Sequence, residues 1–168
     1  MSRFLRFLKH RWYEVGDVGR VLDAEALARL ERRIAASEQR HSGEVRICVE
    51  AALPSSYLWR HASPRERAIS MFGKLRVWDT EHNNGVLIYL LLAEHAIELV
   101  ADRGLNRHVD ARHWQEMVEH LRVALREGRY EDGLTSALEE VSAVLVQYFP
   151  RAADDGDVNE LDNAIVIR

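Results

Sequence analysis

Residues 84–92 read Asn-Gly-Val-Leu-Ile-Tyr-Leu-Leu-Leu, an apolar run with no charge that follows a turn-forming Asn-Gly pair. A run this short and this apolar is typical of a strand buried on both faces. Such a strand needs neighbours that cover both of its faces, so it constrains the architecture of the whole chain. The run therefore predicts the central strand of an α/β domain.

A second strand is predicted at residues 96–102. The connection between the two strands, residues 93–95, is long enough for a hairpin but too short for a crossover, so the strands should pair antiparallel. This pairing brings Asp102 back beside Asn83 and Asn84, at the end of the sheet where the central strand begins. We expect the chemistry of the protein, if any, at that end.

A third strand is predicted at residues 44–50, where apolar residues alternate with a more polar second face. A helix should begin after Ser63, because Pro64 suits a first helical turn and Glu66 can complete a capping box. Strand, helix and central strand then form a parallel β-α-β unit. Together with the hairpin, this unit predicts a three-layer α/β/α sandwich around a small mixed sheet.

Amphipathic spacing predicts three further helices, at about residues 23–41, 110–127 and 130–149. Asp23 and Asp110 are the expected N-caps of the first two. The remaining segments are interpreted as irregular: a connector at residues 15–19, a loop at 51–62 and a polar loop at 103–109.

The predicted domain organisation is a basic N-terminal segment and connector at residues 1–20, one α/β domain at 21–150 and an acidic tail at 151–168. In the first segment Phe4, Phe7, Leu8 and Trp12 share one helical face, which either packs on the domain or contacts an anionic membrane surface. The tail, with Asp154, Asp155, Asp157, Glu160 and Asp162, is either solvated or adds an edge strand at residues 164–167.

Composition excludes several classes of function. The chain has 168 residues and a net charge of −4, with basic and acidic residues interleaved, so no nucleic-acid partner is expected. The single cysteine, Cys48, cannot form an intrachain disulfide, and residues 1–12 lack the apolar middle of a secretory signal. These features predict a cytoplasmic protein. No phosphate-binding glycine loop or nucleophile elbow is present, so no nucleotide or organic cofactor is expected.

Oxygen-bearing side chains converge at the predicted sheet end. The candidate metal ligands are Asn83, Asn84, Asp102 and Asp110. Further candidates around them are His41, His82, Arg103, Asn106, His108 and His113. Such oxygen donors favour calcium or magnesium, whereas added histidines would favour zinc or manganese. Turn and cap chemistry is the alternative interpretation, because Asn, Asp and Gly are common at strand ends.

Several motifs together resemble the TPM-domain family over roughly residues 22–150. The segments that carry the resemblance are His41-Ser42-Gly43-Glu44-Val45, Trp78-Asp79-Thr80-Glu81-His82-Asn83-Asn84-Gly85-Val86-Leu87-Ile88-Tyr89, Ala101-Asp102-Arg103-Gly104-Leu105, Gly128-Arg129-Tyr130-Glu131-Asp132-Gly133-Leu134 and Tyr148-Phe149-Pro150. The resemblance implies a three-layer α/β sandwich. It also implies acid-phosphatase activity and divalent-metal binding, as in some members, or assembly and repair of membrane complexes, as in others.

The chain departs from the family pattern at the site itself. Asn83 stands where the family commonly has an acidic residue, and Asp102-Arg103-Gly104 stands where many members have Gly-Tyr-Gly. A neutral amide supplies a weaker field to a hard cation than a carboxylate does, although Asp102 offers compensation. The metal site implied by the resemblance is therefore carried over only to Asn83, Asn84, Asp102 and Asp110.

Three functional hypotheses follow. The first is a cytoplasmic interaction or assembly module that contacts another protein and has a divalent-cation site at Asn84 and Asp102. The second is a metal-dependent acid phosphatase, so the sequence leaves open whether the protein is an enzyme. The third is a peripheral membrane adaptor that makes weak surface contact through residues 1–14.

Overall fold

A four-stranded mixed sheet lies at the centre of the fold. The structure, a computed structural model, describes residues 3–151 and 161–168. The strands are β1 (Val45–Glu50), β2 (Val86–Leu91), β3 (Ala96–Ala101) and β4 (Val166–Ile167), in the spatial order β3-β2-β1-β4. β2 pairs parallel with β1 and antiparallel with β3, and β4 is parallel to β1. The predicted β-α-β unit and hairpin are confirmed.

Helices cover both faces of the sheet. They are α1 (Arg3–Arg11), α2 (Val15–Val21), α3 (Ala24–Glu38), α4 (Ser55–Trp59), α5 (Pro64–Lys74), α6 (Arg103–Asn106), α7 (Ala111–Arg126) and α8 (Tyr130–Tyr148). Apolar residues of α2, α3, α7 and α8 form one core with the sheet, and those of α4 and α5 form a second core on the opposite face. This arrangement confirms the three-layer α/β/α sandwich.

All six residues of β2 are fully buried, as the apolar run predicts. Val86, Ile88 and Leu90 belong to one core, whereas Leu87, Tyr89 and Leu91 belong to the other. Successive side chains of a strand point to opposite faces, so β2 contributes equally to both cores. Its position between β1 and β3 fixes the two strand ends that frame the candidate site.

The second face of β1 is covered by other side chains, although the alternating pattern predicts a face in contact with water. Cys48 and Glu50 are both buried, because α4 and α5 cover this face with side chains such as Leu58 and Met71. Only Arg46 of the strand is partly exposed. The expectation of a wetter face was wrong, since the crossover helix packs on it.

The connector predicted at residues 15–19 is wrong, because this segment is helical in α2. The Glu14 backbone N–H donates to the Asp17 side chain at 2.8 Å, which closes a capping box at the start of the helix. Val18 and Leu22 are fully buried in the core. Their burial outweighs the low helix propensity of the two glycines in the segment.

Two other segments interpreted as loops contain short helices. Within residues 51–62 the chain forms α4, which buries Leu58, and within 103–109 it forms α6, which buries Leu105. Asp102 is the N-cap of α6 and accepts the Arg103 N–H at 2.7 Å. The predicted caps of α3, α5 and α7 are confirmed.

The C-terminal residues add an edge strand. Val166 of β4 lies opposite Cys48, and Ile167 lies opposite Val49. For residues 166 and 167, this pairing favours the edge strand over a solvated tail. The acidic residues from Asp154 to Glu160 lie in the segment 152–160, outside the described residues, as does the side chain of Phe4.

Candidate functional site

Three strand ends meet where the sequence predicts them. Val86 at the start of β2 is in register with Val45 at the start of β1 and with Ala101 at the end of β3. The segment before β2 and the segment after β3 therefore lie side by side at one end of the sheet. This end is the candidate site.

Two glycines allow the backbone segments at this end to approach closely. A Cβ atom on Gly85 would lie 2.0 Å from the Val77 carbonyl oxygen, and one on Gly104 would lie 2.4 Å from the Asn83 carbonyl oxygen. Asn83 itself has a φ of 53°, a left-handed conformation that asparagine tolerates better than most residues. The loop before β2 is thus held tightly against the start of α6.

Asn84 is fully buried and is fixed by its amide nitrogen. Its Nδ2 donates to the Ser42 carbonyl oxygen at 3.1 Å, and its backbone N–H donates to Thr80 Oγ1 at 3.1 Å. The amide oxygen Oδ1 is buried and accepts no hydrogen bond from the described part of the chain. An unsatisfied buried acceptor of this kind costs about 1–3 kcal/mol, so it requires an explanation.

Asp102 offers a second oxygen of the same kind. Its backbone N–H donates to the Gly85 carbonyl oxygen at 2.9 Å, and its Oδ1 is occupied by the α6 cap. Its Oδ2 is buried and has no donor within residues 3–151 and 161–168. Asn84 and Asp102 therefore flank Gly85, one before it in the chain and one hydrogen-bonded to it, and each has one orphaned oxygen.

A small cavity of about 270 Å³ lies at the start of α6. The residues that line it are His82, Asn83, Arg103, Gly104 and Arg107. Arg103 Nε donates to Asn83 Oδ1 at 3.1 Å, so the amide oxygen of Asn83 is already engaged. The structure thus brings His82, Asn83 and Arg103 together, and it adds Arg107, which the sequence analysis missed.

Asp110 and His108 lie in a different and larger cavity, of about 1040 Å³, that is bordered by β3, α5 and α7. Asp110 caps α7 by accepting the Arg112 N–H at 2.9 Å, and the ring of His108 stacks on Tyr148 with the centroids 5.0 Å apart. Neither residue lines the small cavity. Asp102 itself lines neither cavity, and the extra helix α6 lies between it and Asp110 in the chain.

The other predicted outer residues have structural partners. His41 is buried, and its ring nitrogens contact Ser37 Oγ at 2.8 Å and the Gly43 carbonyl oxygen at 2.9 Å. Burial lowers the pKa of His41 to about 4, so the ring stays neutral near neutral pH. Asn106 Nδ2 donates to the Ala101 carbonyl oxygen at 3.0 Å, and His113 is exposed on α7.

The type of donor atom at this end of the sheet determines which metal ions it can bind. Across residues 3–151 and 161–168, no group of three or more His, Cys, Asp or Glu side chains is arranged to hold a metal. Two buried oxygens at this end have no donor among the described residues, one from a carboxylate and one from an amide, and both are of the hard type. Zinc sites of nitrogen and sulfur ligands have a different donor set.

A second buried polar cluster lies on the opposite core and escaped the sequence analysis. Arg67 Nε and Nη2 donate to the two carboxylate oxygens of Glu50 at 2.8 and 2.5 Å, and Tyr89 Oη donates to the same carboxylate at 2.5 Å. All three side chains are buried. Burial is the main cause that raises the pKa of the Tyr89 hydroxyl, so the cluster supports the fold and offers no accessible reactive group.

Comparisons with known proteins agree with this architecture. A family model described as the TPM domain matches residues 15–144, and the chain therefore belongs to the TPM-domain family. The chain is similar to the BA42 protein of the psychrophilic bacterium Bizionia argentinensis, whose NMR structure shares 28% identity and a TM-score of 0.74, with 86% of this chain and 94% of that chain covered.

A second solved structure shares the fold alone. The N-terminal domain of a protein from P. gingivalis, also solved by NMR, is 19% identical with a TM-score of 0.62 and covers 79% of this chain and 83% of that one. None of the curated proteins compared matches the chain. Within the described residues, every helix is too short or too polar to span a bilayer.

Proposed function

We propose that the protein is a TPM-family interaction module that binds a divalent cation at Asn84 and Asp102, with calcium or magnesium preferred. The observation that carries the proposal is the pair of orphaned oxygens, Asn84 Oδ1 and Asp102 Oδ2, which flank Gly85 in a buried setting. Native proteins rarely leave such groups unsatisfied, and carboxylate and amide oxygens are the donors that hard cations take.

The donor set also sets the expected strength of binding. Asp102 supplies the only formal negative charge among the two residues, and Asn84 supplies a neutral oxygen. Sites with few charges bind calcium weakly, so we expect a dissociation constant of about 0.1–1 mM. A cation at this position would fasten the segment before β2 to the start of α6.

Binding of a cation would order the exposed residues around this end of the sheet. His82, Arg103 and Arg107 are exposed around the small cavity, and they are the residues we assign to contact with another protein. We place this interaction in the cytoplasm. The support for that placement is Cys48, the single cysteine of the sequence, which is a buried free thiol and fits a reducing compartment.

The test is calorimetric titration of calcium, magnesium, manganese and zinc chlorides into chelator-treated protein. Asp102→Asn is the main variant, because asparagine keeps the α6 cap while removing the charge. Asp110→Asn is the matched control, since Asp110 is also an N-cap aspartate but lines the larger cavity, away from Asn84 and Asp102. The melting temperature with and without calcium gives a second measurement, since a ligand at 100 times its dissociation constant stabilises by about 2.7 kcal/mol.

We expect saturable binding of calcium or magnesium to the intact protein and to Asp110→Asn, and its loss in Asp102→Asn. Asn83→Asp should tighten binding, because it adds a carboxylate to the loop beside Asp102. Absence of binding to the intact protein contradicts the proposal. Equal binding by the intact protein and Asp102→Asn contradicts the assigned position.

The arginines beside Asp102 favour a metal-dependent phosphatase as a second candidate function. Arg103 and Arg107 line the small cavity, where their guanidinium groups would hold the oxygens of a phosphoryl group. A cation at Asp102 would supply Lewis-acid polarisation of such an oxygen. Hydrolysis of p-nitrophenyl phosphate that requires added metal and is lost in both Asp102→Asn and Arg103→Ala would favour this candidate over the interaction module.

A further inference from the structure

Helix α1 turns an apolar stripe toward solvent. Leu5, Leu8 and Trp12 are 56%, 39% and 81% exposed. Leu5 and Leu8 lie three residues apart on one face of the helix, and Trp12, which directly follows its last residue Arg11, continues this spacing. A surface helix of a globular protein normally buries its apolar stripe, whereas Leu5 and Leu8 of α1 face solvent and Phe7 is partly buried against the second core.

The opposite face of α1 contacts the protein through polar side chains and through Phe7, which packs against the second core. Arg6 donates to Glu94 Oε1 at 2.7 Å and to the Ala62 carbonyl oxygen at 2.8 Å. His10 is buried, and the Leu53 N–H donates to its Nδ1 at 3.0 Å, so Nε2 carries the proton that it donates to Glu94 at 2.8 Å. These specific polar contacts fix which side of the helix faces outward.

Glu94 is the anchor of this arrangement. Burial alone would raise the pKa of its carboxyl, but the hydrogen bonds from His10 and Arg6 outweigh burial and lower it. The carboxylate thus holds α1 while it is ionised. Isolated helices as short as α1, which has nine residues, are marginal in water, so this docking presents a preformed helix.

Basic residues lie on both sides of the exposed stripe. Residues 1–13 contain Arg3, Arg6, Lys9 and Arg11 and no aspartate or glutamate, in a chain whose net charge is −4. By helical periodicity Lys9 and Arg11 lie on either side of the stripe. Basic residues that flank an apolar stripe are the arrangement of helices that lie in the plane of an anionic membrane surface.

A second tryptophan extends the exposed area. Trp59 of α4 is 63% exposed, and its ring lies 5.9 Å from that of Phe7, on the helix that carries the stripe. Tryptophan favours the boundary between lipid headgroups and acyl chains. The α1 surface is defined by Leu5, Leu8, Lys9, Arg11, Trp12 and Trp59.

We propose that the α1 surface docks on an anionic lipid membrane, with Leu8 and the tryptophans inserted at the headgroup level and Lys9 and Arg11 on the lipid phosphates. Charge complementarity selects this occupant. A second copy of the chain would bring the same basic surface against itself in a two-fold dimer, where like charges repel. This docking is independent of the cation site, which lies at the opposite end of β2.

The test is flotation of the full chain with two kinds of vesicle, at low and at high salt. One kind is phosphatidylcholine alone, and the other contains about 30% of the anionic lipid phosphatidylglycerol, which gives a negative surface potential. Trp12→Ala removes the largest exposed apolar group, and Lys9→Glu/Arg11→Glu reverses the flanking charge. Trp78→Ala is the matched control, because Trp78 is 48% exposed but precedes the start of β2, away from α1.

We expect binding to the anionic vesicles only, and weaker binding at high salt. Trp12→Ala and the charge-reversed variant should each weaken binding by about tenfold or more, and Trp78→Ala should leave it unchanged. The proposal is overturned if the intact protein ignores anionic vesicles, or if Trp78→Ala weakens binding as much as Trp12→Ala. Concentration-dependent dimers that Trp12→Ala abolishes, without vesicle binding, would assign the surface to a second copy instead.

Discussion

Replacing Arg67 by methionine should lower the free energy of unfolding by about 3–5 kcal/mol. The substitution keeps much of the side-chain volume but removes both guanidinium hydrogen bonds to Glu50. The carboxylate is then left buried with Tyr89 Oη as its remaining donor among these contacts. Breaking a buried ion pair by removing one partner typically costs this much, because the other charge stays uncompensated.

Two further variants separate the contribution of the Tyr89 hydrogen bond from that of the buried ion pair. Tyr89→Phe removes one hydrogen bond to an ionised acceptor and should cost about 1.5–3 kcal/mol. The triple variant Glu50→Leu/Arg67→Met/Tyr89→Phe removes every polar member of the cluster, so it should recover most of the stability lost in Arg67→Met.

Urea unfolding followed by circular dichroism measures these differences. The control is Arg60→Met, which breaks an exposed ion pair with Glu66 and should cost about 0–1 kcal/mol. A cost below about 1 kcal/mol for Arg67→Met would refute the reasoning, because it would mean that water solvates the Glu50 carboxylate in the native state. A triple variant less stable than Arg67→Met would refute it as well.

Three other predictions concern backbone packing, acid stability and the α1 anchor. Gly19→Ala should raise the free energy of unfolding by about 0.5–1 kcal/mol, because its Cβ meets open space in a helix. Gly104→Ala should lower the free energy of unfolding by about 1–3 kcal/mol, because its Cβ would meet the Asn83 carbonyl oxygen. Urea unfolding measures both changes, and equal free energies of unfolding for the two variants would contradict both predictions. The pKa of His41 is lowered to about 4, so between pH 7 and pH 5 the unfolded chain takes up a proton that the native state refuses, and stability should fall by about 2 kcal/mol from this group. Urea unfolding at the two pH values tests this, and an unchanged pH dependence in His41→Gln would contradict it. Glu94→Gln should accelerate amide hydrogen exchange in residues 3–11 by about tenfold or more, since it weakens two charge-assisted hydrogen bonds; unchanged exchange would contradict its role as anchor.

The central part of the fold was predictable because hydrophobic burial dominates it. The run at residues 84–92 has no alternative to a doubly buried strand, and the short connection after it leaves only a hairpin. α2 was not predictable in the same way, because Gly16 and Gly19 suggest a break and the burial of Val18 depends on the rest of the core. Local propensity was outweighed there by tertiary packing.

Only the part of the candidate site that follows from strand order was predictable. Strand order alone places Asn84 near Asp102, and the structure has both beside Gly85. The assignment of Asp110 to the same place overlooked α6, whose formation depends on the Asp102 cap and on the burial of Leu105. The Glu50 and Arg67 pair was hidden because its members are 17 residues apart and each resembles an ordinary surface charge.

The pairing of β4 with β1 has a consequence for the order of folding. Cys48 and Val166 are separated by 118 positions, from 48 to 166, whereas the paired residues of β2 and β3 are at most 15 apart, from 86 to 101. Contacts between distant positions carry a larger loop-closure entropy and slow the folding reaction. The sheet should therefore assemble from the hairpin outward, and β4 should join last and detach first. The Arg168 N–H, which donates to the Val49 carbonyl oxygen at 2.9 Å, would then exchange before the amides of β2.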